Sequence, residues 1–495
     1  MAEELTPETP EIPETPEEDE QPIKQRKNGL YPGVSDELTE NMKTGWADTE
    51  QHHLQPVPQA SYTAARRAAL SARFPGERLV IPAGNLKTRS NDTEYSFRAA
   101  TEYAYLTGDQ TEDGVLVLEP KGAAGDGGHQ ATIYLLPRSN RENGEFWLSG
   151  QGELWVGRRK SLGEAEQLLG IPAEDVRELP DLLRGLSGPV RVVRGHDAGI
   201  EAALTDKVTA ERDEELRVYL SEARAVKDEF EIAELQKACD STARGFEDVV
   251  KVLDKAEATS ERYIEGTFFL RARVEGNDVG YGSICAAGPH ATTLHWVRND
   301  GPVRSGELLL LDAGVETTEL YTADVTRTLP INGRYTELQR TIYDAVYEAQ
   351  EAGIAAVQPG AKFRDFHDAA QRVLAERLVE WGLLEGPVER VLELGLQRRW
   401  TLHGTGHMLG MDVHDCAAAR TEAYVDGTLE PGMCLTVEPG LYFQADDLTV
   451  PEEYRGIGVR IEDDILVTED GNRNLSAALP RRADEVEAWM ASLTG

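Results

Sequence analysis

Apolar residues recur along this chain with a period of two in some stretches and of about 3.6 in others, and each change of rhythm marks a new element. TAARRAALSARF, just after Ser61, spaces its apolar positions as an amphipathic helix. RLVIPAG, Arg78 to Gly84, reads as a strand ending in a turn. TEYAYLTG, VLVLEP, ATIYLLP and FWLSG follow as short strands broken by Gly and Pro. SLGEAEQLLG and DVRELPDLLRGL read as helices, and PVRVVRG as one more strand. These elements predict an α/β domain that by itself names no reaction. A charged helical connector begins near Glu214. Asp228 with Glu231 makes a capping-box start, after which Ile232, Leu235, Cys239, Thr242, Phe246, Val249 and Leu253 recur at helical spacing.

The pattern places a domain boundary at residues 222–228. Beyond it, Thr336 and Gln339 cap a helix carrying Leu338, Ile342, Ala345 and Val346, which stops near Pro359 and Gly360. Lys362 to Leu384 is a second amphipathic helix. The strands LLLLDAG, MCLTVEPGLYF and GIGVRIEDDILV accompany these helices. Strands and helices are segregated more than strictly alternating, so α+β is the expected class, with a smaller α/β domain in front. The predicted division is an acidic Pro/Glu/Thr-rich tail over 1–45, an N-terminal domain over 46–222 and a catalytic domain over 223–495. The tail has too few large apolar groups to offset the entropy of ordering, and disorder is expected there.

Composition narrows the partners. The 495 residues carry a formal net charge of −37, which repels nucleic-acid phosphates and anionic lipid, so neither is expected as a partner. The four cysteines, Cys239, Cys285, Cys416 and Cys434, are scattered without a CxxC pair, the usage of a reducing compartment. The start of the chain lacks a basic region and an apolar core of signal type, and no apolar run is of membrane-spanning length. A cytoplasmic protein is expected.

The candidate chemistry lies in four segments. LLLLDAG ends a leucine run on Asp312, and Asp324 follows twelve residues later. A carboxylate at the end of a buried strand needs a partner, although Asp312 alone also reads as a turn residue before Ala-Gly. WTLHGTGHMLGMDVHD places His403, His407 and His414, three of the ten histidines, on one Gly-rich stretch. Gly404 and Gly406 argue against a helical HExxH arrangement. In LTVEPGLY, Glu438 stands at a strand end directly before Pro439 and Gly440. In GIGVRIEDD, Ile457, Val459 and Ile461 alternate to one side, which puts Arg460 and Glu462 together on the other, where a plain solvated cross-strand pair is the competing reading. Two Asp, two Glu and one His form an oxygen-rich donor set that suits Mn²⁺ and Mg²⁺, while the imidazole admits Co²⁺, Zn²⁺ or Fe²⁺ as well; Mn²⁺ is the expected metal, with Co²⁺ or Zn²⁺ next. Four carboxylates exceed what one divalent ion neutralises, so two ions with a bridging, activated water are expected.

These segments, in this order, resemble the metal-site segments of the Xaa-Pro aminopeptidases (aminopeptidase P), within the creatinase/methionine-aminopeptidase "pita-bread" superfamily. TRSNDTEYSFRAATEYAYLTG resembles that family's first domain, and the similarity runs from about residue 60 to about residue 490. The resemblance implies a C-terminal pita-bread domain and a homodimer or homotetramer. It implies Asp312, Asp324, His407, Glu438 and Glu462 as metal ligands. Glu438 would also take the proton of the attacking water, His414 would steady the tetrahedral intermediate, and His295 would act near the scissile bond. His403, Tyr442 and Arg460 would line the proline pocket, and Asp92 would restrict the substrate's amino end. The implied substrates are peptides with proline in second position, since an Xaa-Pro bond has no N–H and a fixed φ that a general peptidase cannot use. Prolidase, which cleaves Xaa-Pro dipeptides with the same metal site, is the alternative, and the N-terminal domain favours the aminopeptidase. A pita-bread binding protein without catalysis would be expected to have lost ligands, and all five candidates are present. Two departures from the family pattern stand out: a longer Asp-to-Asp segment, and Trp296 after His295 where Tyr is frequent.

Overall fold

The computed structural model describes residues 35–91, 93–122 and 127–494. The N-terminal domain is built on a five-stranded mixed sheet. Its strands run, from edge to edge, Ala173–Asp175, His129–Leu135, Val115–Pro120, Arg78–Pro82 and Val190–Val192. Both faces are covered, which explains why Leu79, Val80, Ile81, Val115, Leu116 and Val117 are all buried and read as continuous apolar runs. The helix Ala60–Arg73 packs on one face.

Two segments expected as strands are helical. TEYAYLT forms the helix Thr101–Thr107, closed by Gly108 in the left-handed region at φ 72°. Six of its seven residues are buried, so no polar stripe remains to reveal a helical period, and the Tyr-rich composition points the wrong way. FWL lies in the helical turn Glu145–Leu148. The tail expectation also needs correction: residues 36–42, inside the stretch expected to be disordered, form the helix Asp36–Met42. The Ser35 side chain caps it, and the Trp46 indole donates to the Met42 carbonyl at 2.7 Å and meets the Phe146 ring edge-on. Residues 1–34 of the expected tail lie outside the described residues.

The helices Ala210–Ala223 and Glu229–Val250 follow one another with five residues between them, and the second opens with the Asp228–Glu231 capping box. The C-terminal domain then presents the same order of parts twice. Helices Glu229–Val250 and Glu261–Glu275 precede a sheet of Ile284–Ala287, Leu308–Ala313 and Val325–Pro330. Helices Glu337–Ala356 and Phe363–Glu380 precede a sheet of Cys434–Val437, Asp463–Thr468 and Gly471–Asn474. A bridge between Thr326 and Glu462 joins the halves.

Both long strand segments of the second half are interrupted, the first where Pro439 and Gly440 predict a strand end and the second without such a signal. Cys434–Val437 and Gly440–Phe443 belong to different sheets, as do Ile457–Arg460 and Asp463–Thr468. Glu438 falls in the first gap and Glu462 in the second. The chain leaves one ladder for another at the two positions where a carboxylate is wanted.

Candidate metal centre

Nine of the side chains singled out by the sequence line one cavity of about 690 Å³: Asp312, Asp324, His407, Glu438, Glu462, His295, His403, His414 and Arg460. Backbone pairing explains most of this. In the antiparallel ladder of Leu308–Ala313 with Val325–Pro330, Asp312 faces Thr326, and Asp324 immediately precedes the second strand. Gly314 lets the two arms close: a Cβ there would stand 1.6 Å from the Ala323 carbonyl oxygen. Gly406 serves the histidine loop likewise, since its Cβ would lie 2.0 Å from the Thr436 carbonyl oxygen. That approach seats His407 beside Cys434–Val437, where its N–H donates to the Thr436 hydroxyl at 3.1 Å. Arg460 and Glu462 share a face as the alternation predicts, while Val459 and Ile461 pack into the core. The face is not solvated: Arg460 and Glu462 are both buried.

Donor atoms of Asp324, His407 and Glu462 all lie within 4.8 Å of one another. Asp312 and Glu438 complete the wall. His407 Nε2 is 3.3 Å from Asp324 Oδ2 and 3.6 Å from Glu438 Oε1, and Arg460 Nη2 donates to Asp312 Oδ2 at 2.5 Å. Burial followed by repulsion from Asp324, Glu438 and Asp312 holds the Glu462 carboxyl well above its ordinary range. Burial also pushes Glu438 up to about 7, with Asp324 and Asp312 adding to the shift and His407 and Arg460 opposing it. For His407 burial works against the charged ring, but Asp324 and Glu438 outweigh it and raise it to about 9. Four carboxylates against one guanidinium and one imidazole leave this wall short of positive charge. The set of oxygens and a single imidazole fits divalent cations.

Sequence reasoning missed two hydrogen-bonding residues here. The Tyr281 hydroxyl lies 2.7 Å from Asp312 Oδ1 and 2.5 Å from Asp324 Oδ1. One phenolic proton cannot serve both carboxylates at once, so the second needs a proton or a cation. Its only sequence signal is an aromatic residue between Gly280 and Gly282 ahead of an apolar strand. The Thr326 hydroxyl donates to Glu462 Oε2 at 2.6 Å, a contact between residues 136 apart that no local pattern reveals.

Of the remaining predicted residues, His295, His403, His414 and Arg460 line the cavity and Tyr442 stands behind them. His403 Nε2 is 2.8 Å from the Tyr442 hydroxyl, and Arg460 Nη1 donates to that same hydroxyl at 3.1 Å. Burial and then Arg460 depress the His403 imidazole to about 4, so it stays neutral near pH 7. Burial and then His407 lower His414, whose ring meets that of His407 edge-on at 4.3 Å. Trp296 stacks on His290 and donates to Glu261 at 2.9 Å, pinning the segment that carries His295. Asp92 lies outside the described residues.

Comparison with known proteins identifies the family. Residues 233–469 match the model of metallopeptidase family M24, and residues 63–192 that of the aminopeptidase P N-terminal domain. The chain is 86% identical over its full length to Xaa-Pro aminopeptidase 1 of Streptomyces coelicolor, all of which is covered. The solved aminopeptidase PepP of Pseudomonas aeruginosa superposes with a TM-score of 0.78 at 32% identity, covering 89% of this chain and 99% of that one. A zinc-substituted Escherichia coli aminopeptidase P in complex with product gives the same TM-score, identity and coverage. The chain therefore belongs to the Xaa-Pro aminopeptidases of metallopeptidase family M24, with an α+β pita-bread domain behind an aminopeptidase P-type N-terminal domain.

Proposed function

We propose that this enzyme hydrolyses the bond between an N-terminal residue and a proline in second position, using two divalent ions held by Asp312, Asp324, His407, Glu438 and Glu462. Mn²⁺ is the first choice of metal, and Co²⁺ or Zn²⁺ suit the same donors. The observation that carries the reading is the convergence of these five side chains, from four separate segments, on one cavity. When bound there, such ions supply Lewis acidity and lower the pKa of water.

The chain's own residues do the rest. Glu438 Oε1 lies 3.6 Å from His407 Nε2 and its Oε2 3.7 Å from His403 Nδ1. In that position the ionised Glu438 carboxylate accepts the proton of the attacking water and returns it to the leaving nitrogen. His414 and His295 line the cavity where they can donate hydrogen bonds to charge developing on the carbonyl oxygen. His403 backed by Tyr442, together with Arg460, forms the wall of rings that receives the proline, which offers no N–H to a general peptidase. On the same reading the enzyme works in the cytoplasm as a homodimer or homotetramer, with neither nucleic acid nor membrane as partner. No helix among the described residues is long and apolar enough to cross a membrane.

The test is to strip the protein with chelator, reload it with Mn²⁺ and follow three substrates: an Xaa-Pro-Yaa tripeptide, an Xaa-Pro dipeptide and an Xaa-Ala-Yaa control. Metal-restored cleavage of the tripeptide, with the control untouched, is expected. Cleavage confined to the dipeptide would make the enzyme a prolidase, and cleavage of the control would overturn the proline pocket.

A further inference from the structure

His414 reaches the cavity on the loop Met408–Cys416, yet its ring makes no hydrogen bond among the described residues. Its place is set by the backbone around it, and that backbone is held from the far side by another domain. Arg98, which precedes the helix Thr101–Thr107 of the N-terminal domain, donates through Nη2 to the Met411 carbonyl at 2.7 Å. The same guanidinium donates through Nε to Glu316 at 2.6 Å and through Nη1 to the Thr101 hydroxyl at 3.1 Å. The Thr101 hydroxyl in turn donates to Asp412 Oδ1 at 2.6 Å. On the other side of His414, Arg224 at the end of the connector helix donates to Asp415 Oδ1 at 2.9 Å, with Glu102 at 3.5 Å. Asp415 closes the loop, its N–H donating to the Met408 carbonyl at 3.0 Å and its carboxylate accepting from the Cys416 N–H at 2.7 Å. Cys416 sits at φ 60°, a conformation that a non-glycine residue keeps only when its surroundings impose it.

We propose that Arg98, Thr101 and Arg224 are positioning residues for catalysis: the N-terminal domain and the connector hold the loop on either side of His414, at Met411 and Asp412 before it and at Asp415 after it, and so fix the imidazole against the metal cavity. None of the three lines that cavity, and their effect passes through Asp412, Asp415 and the Met411 carbonyl. The inference rests on the role given to His414 above. It makes the first domain part of the working active site.

Thr101→Val is the informative variant, because it deletes the hydroxyl's two hydrogen bonds, from Arg98 and to Asp412, while Arg98 keeps Glu316 and Asp412 as ionic partners. Its kcat for an Xaa-Pro-Yaa tripeptide is expected to fall between about 10- and 100-fold, since small misplacement of a catalytic group acts on the chemical step. KM should change less than about 3-fold, with bound metal and thermal midpoint unaltered. Arg98→Met should act in the same way, and Arg98→Lys, which keeps the charge facing Glu316 and Asp412, should recover part of the loss. The deciding readout is the combination with His414→Ala: Thr101→Val should lower kcat no further in that background. An additive fall in the double variant, or undiminished kcat in both Thr101→Val and Arg98→Met, would overturn the proposal. Full kcat in His414→Ala alone would instead remove the role given to His414 and the inference with it.

Discussion

The two halves of the catalytic domain contain the same parts and present their acids by different means. In the first half Asp312 and Asp324 lie in and beside one unbroken antiparallel ladder, and the short side chains reach the cavity directly. In the second half Glu438 and Glu462 stand in gaps where the chain passes from one sheet to another. A gap leaves these residues without regular ladder bonds, so other contacts must hold them. Glu438 N–H donates to the Thr405 carbonyl at 2.8 Å. Glu462 is held by Thr326 twice, through its own N–H to the Thr326 carbonyl at 3.1 Å and through the Thr326 hydroxyl. The second half therefore borrows a strand of the first to aim its glutamate. The first-half pair is fixed by backbone, the second-half pair by a few specific contacts.

The largest test removes one ligand from each half. Asp324→Asn and Glu462→Gln should each abolish metal-dependent turnover while the circular dichroism spectrum stays that of the parent; full activity in either would refute the ligand assignment. A sharper test concerns the supporting hydroxyls. Thr326→Val should weaken Mn²⁺ binding by about 10- to 100-fold, the usual effect of losing a partner that orients a ligand. Tyr281→Phe should weaken it less, because the ladder already fixes Asp312 and Asp324. Measured by calorimetry, the reverse order would show that the backbone does not carry the first-half pair.

The smallest expected effect is on stability against pH. Without metal, Glu438 rises from an ordinary 4.5 to about 7 and His407 from 6.5 to about 9. Both shifts are upward, so the folded chain binds more protons than the unfolded chain. The stability contributed by Glu438 is lost as pH climbs from 4.5 to about 7, and that from His407 between 6.5 and about 9. Metal requires an ionised Glu438 and a neutral His407, so it removes this dependence. The gap in thermal midpoint between loaded and stripped protein should therefore widen by a few degrees from pH 5 to pH 9. A gap of constant width would show that the two groups are not competed for by metal.

Much of the site was legible because its chemistry is local. Asp312 after a leucine run, three histidines among glycines, Glu438 before Pro439, and the alternation around Arg460 and Glu462 are short patterns, and each leads to the same cavity. Helix starts at Asp228 and Thr336 were legible for the same reason, since a capping box is a four-residue device. What escaped depends on tertiary placement. Thr101–Thr107 is buried nearly all round and so carries no period. The interruption at Glu462 comes from a change of sheet partner, which lies far away in sequence, whereas Pro439 and Gly440 already marked the one at Glu438. Tyr281 and Thr326 matter because of what folds against them, and nothing in their own neighbourhoods announces it.

The central claim is that five side chains from both halves hold two ions on which turnover depends. Titrating chelator-stripped protein with Mn²⁺ by calorimetry, while following Xaa-Pro-Yaa hydrolysis at each addition, tests it most directly. The account predicts two ions bound per chain, with activity appearing as they bind. Undiminished hydrolysis by the stripped protein, or saturation of both binding and activity at one ion per chain, would contradict it.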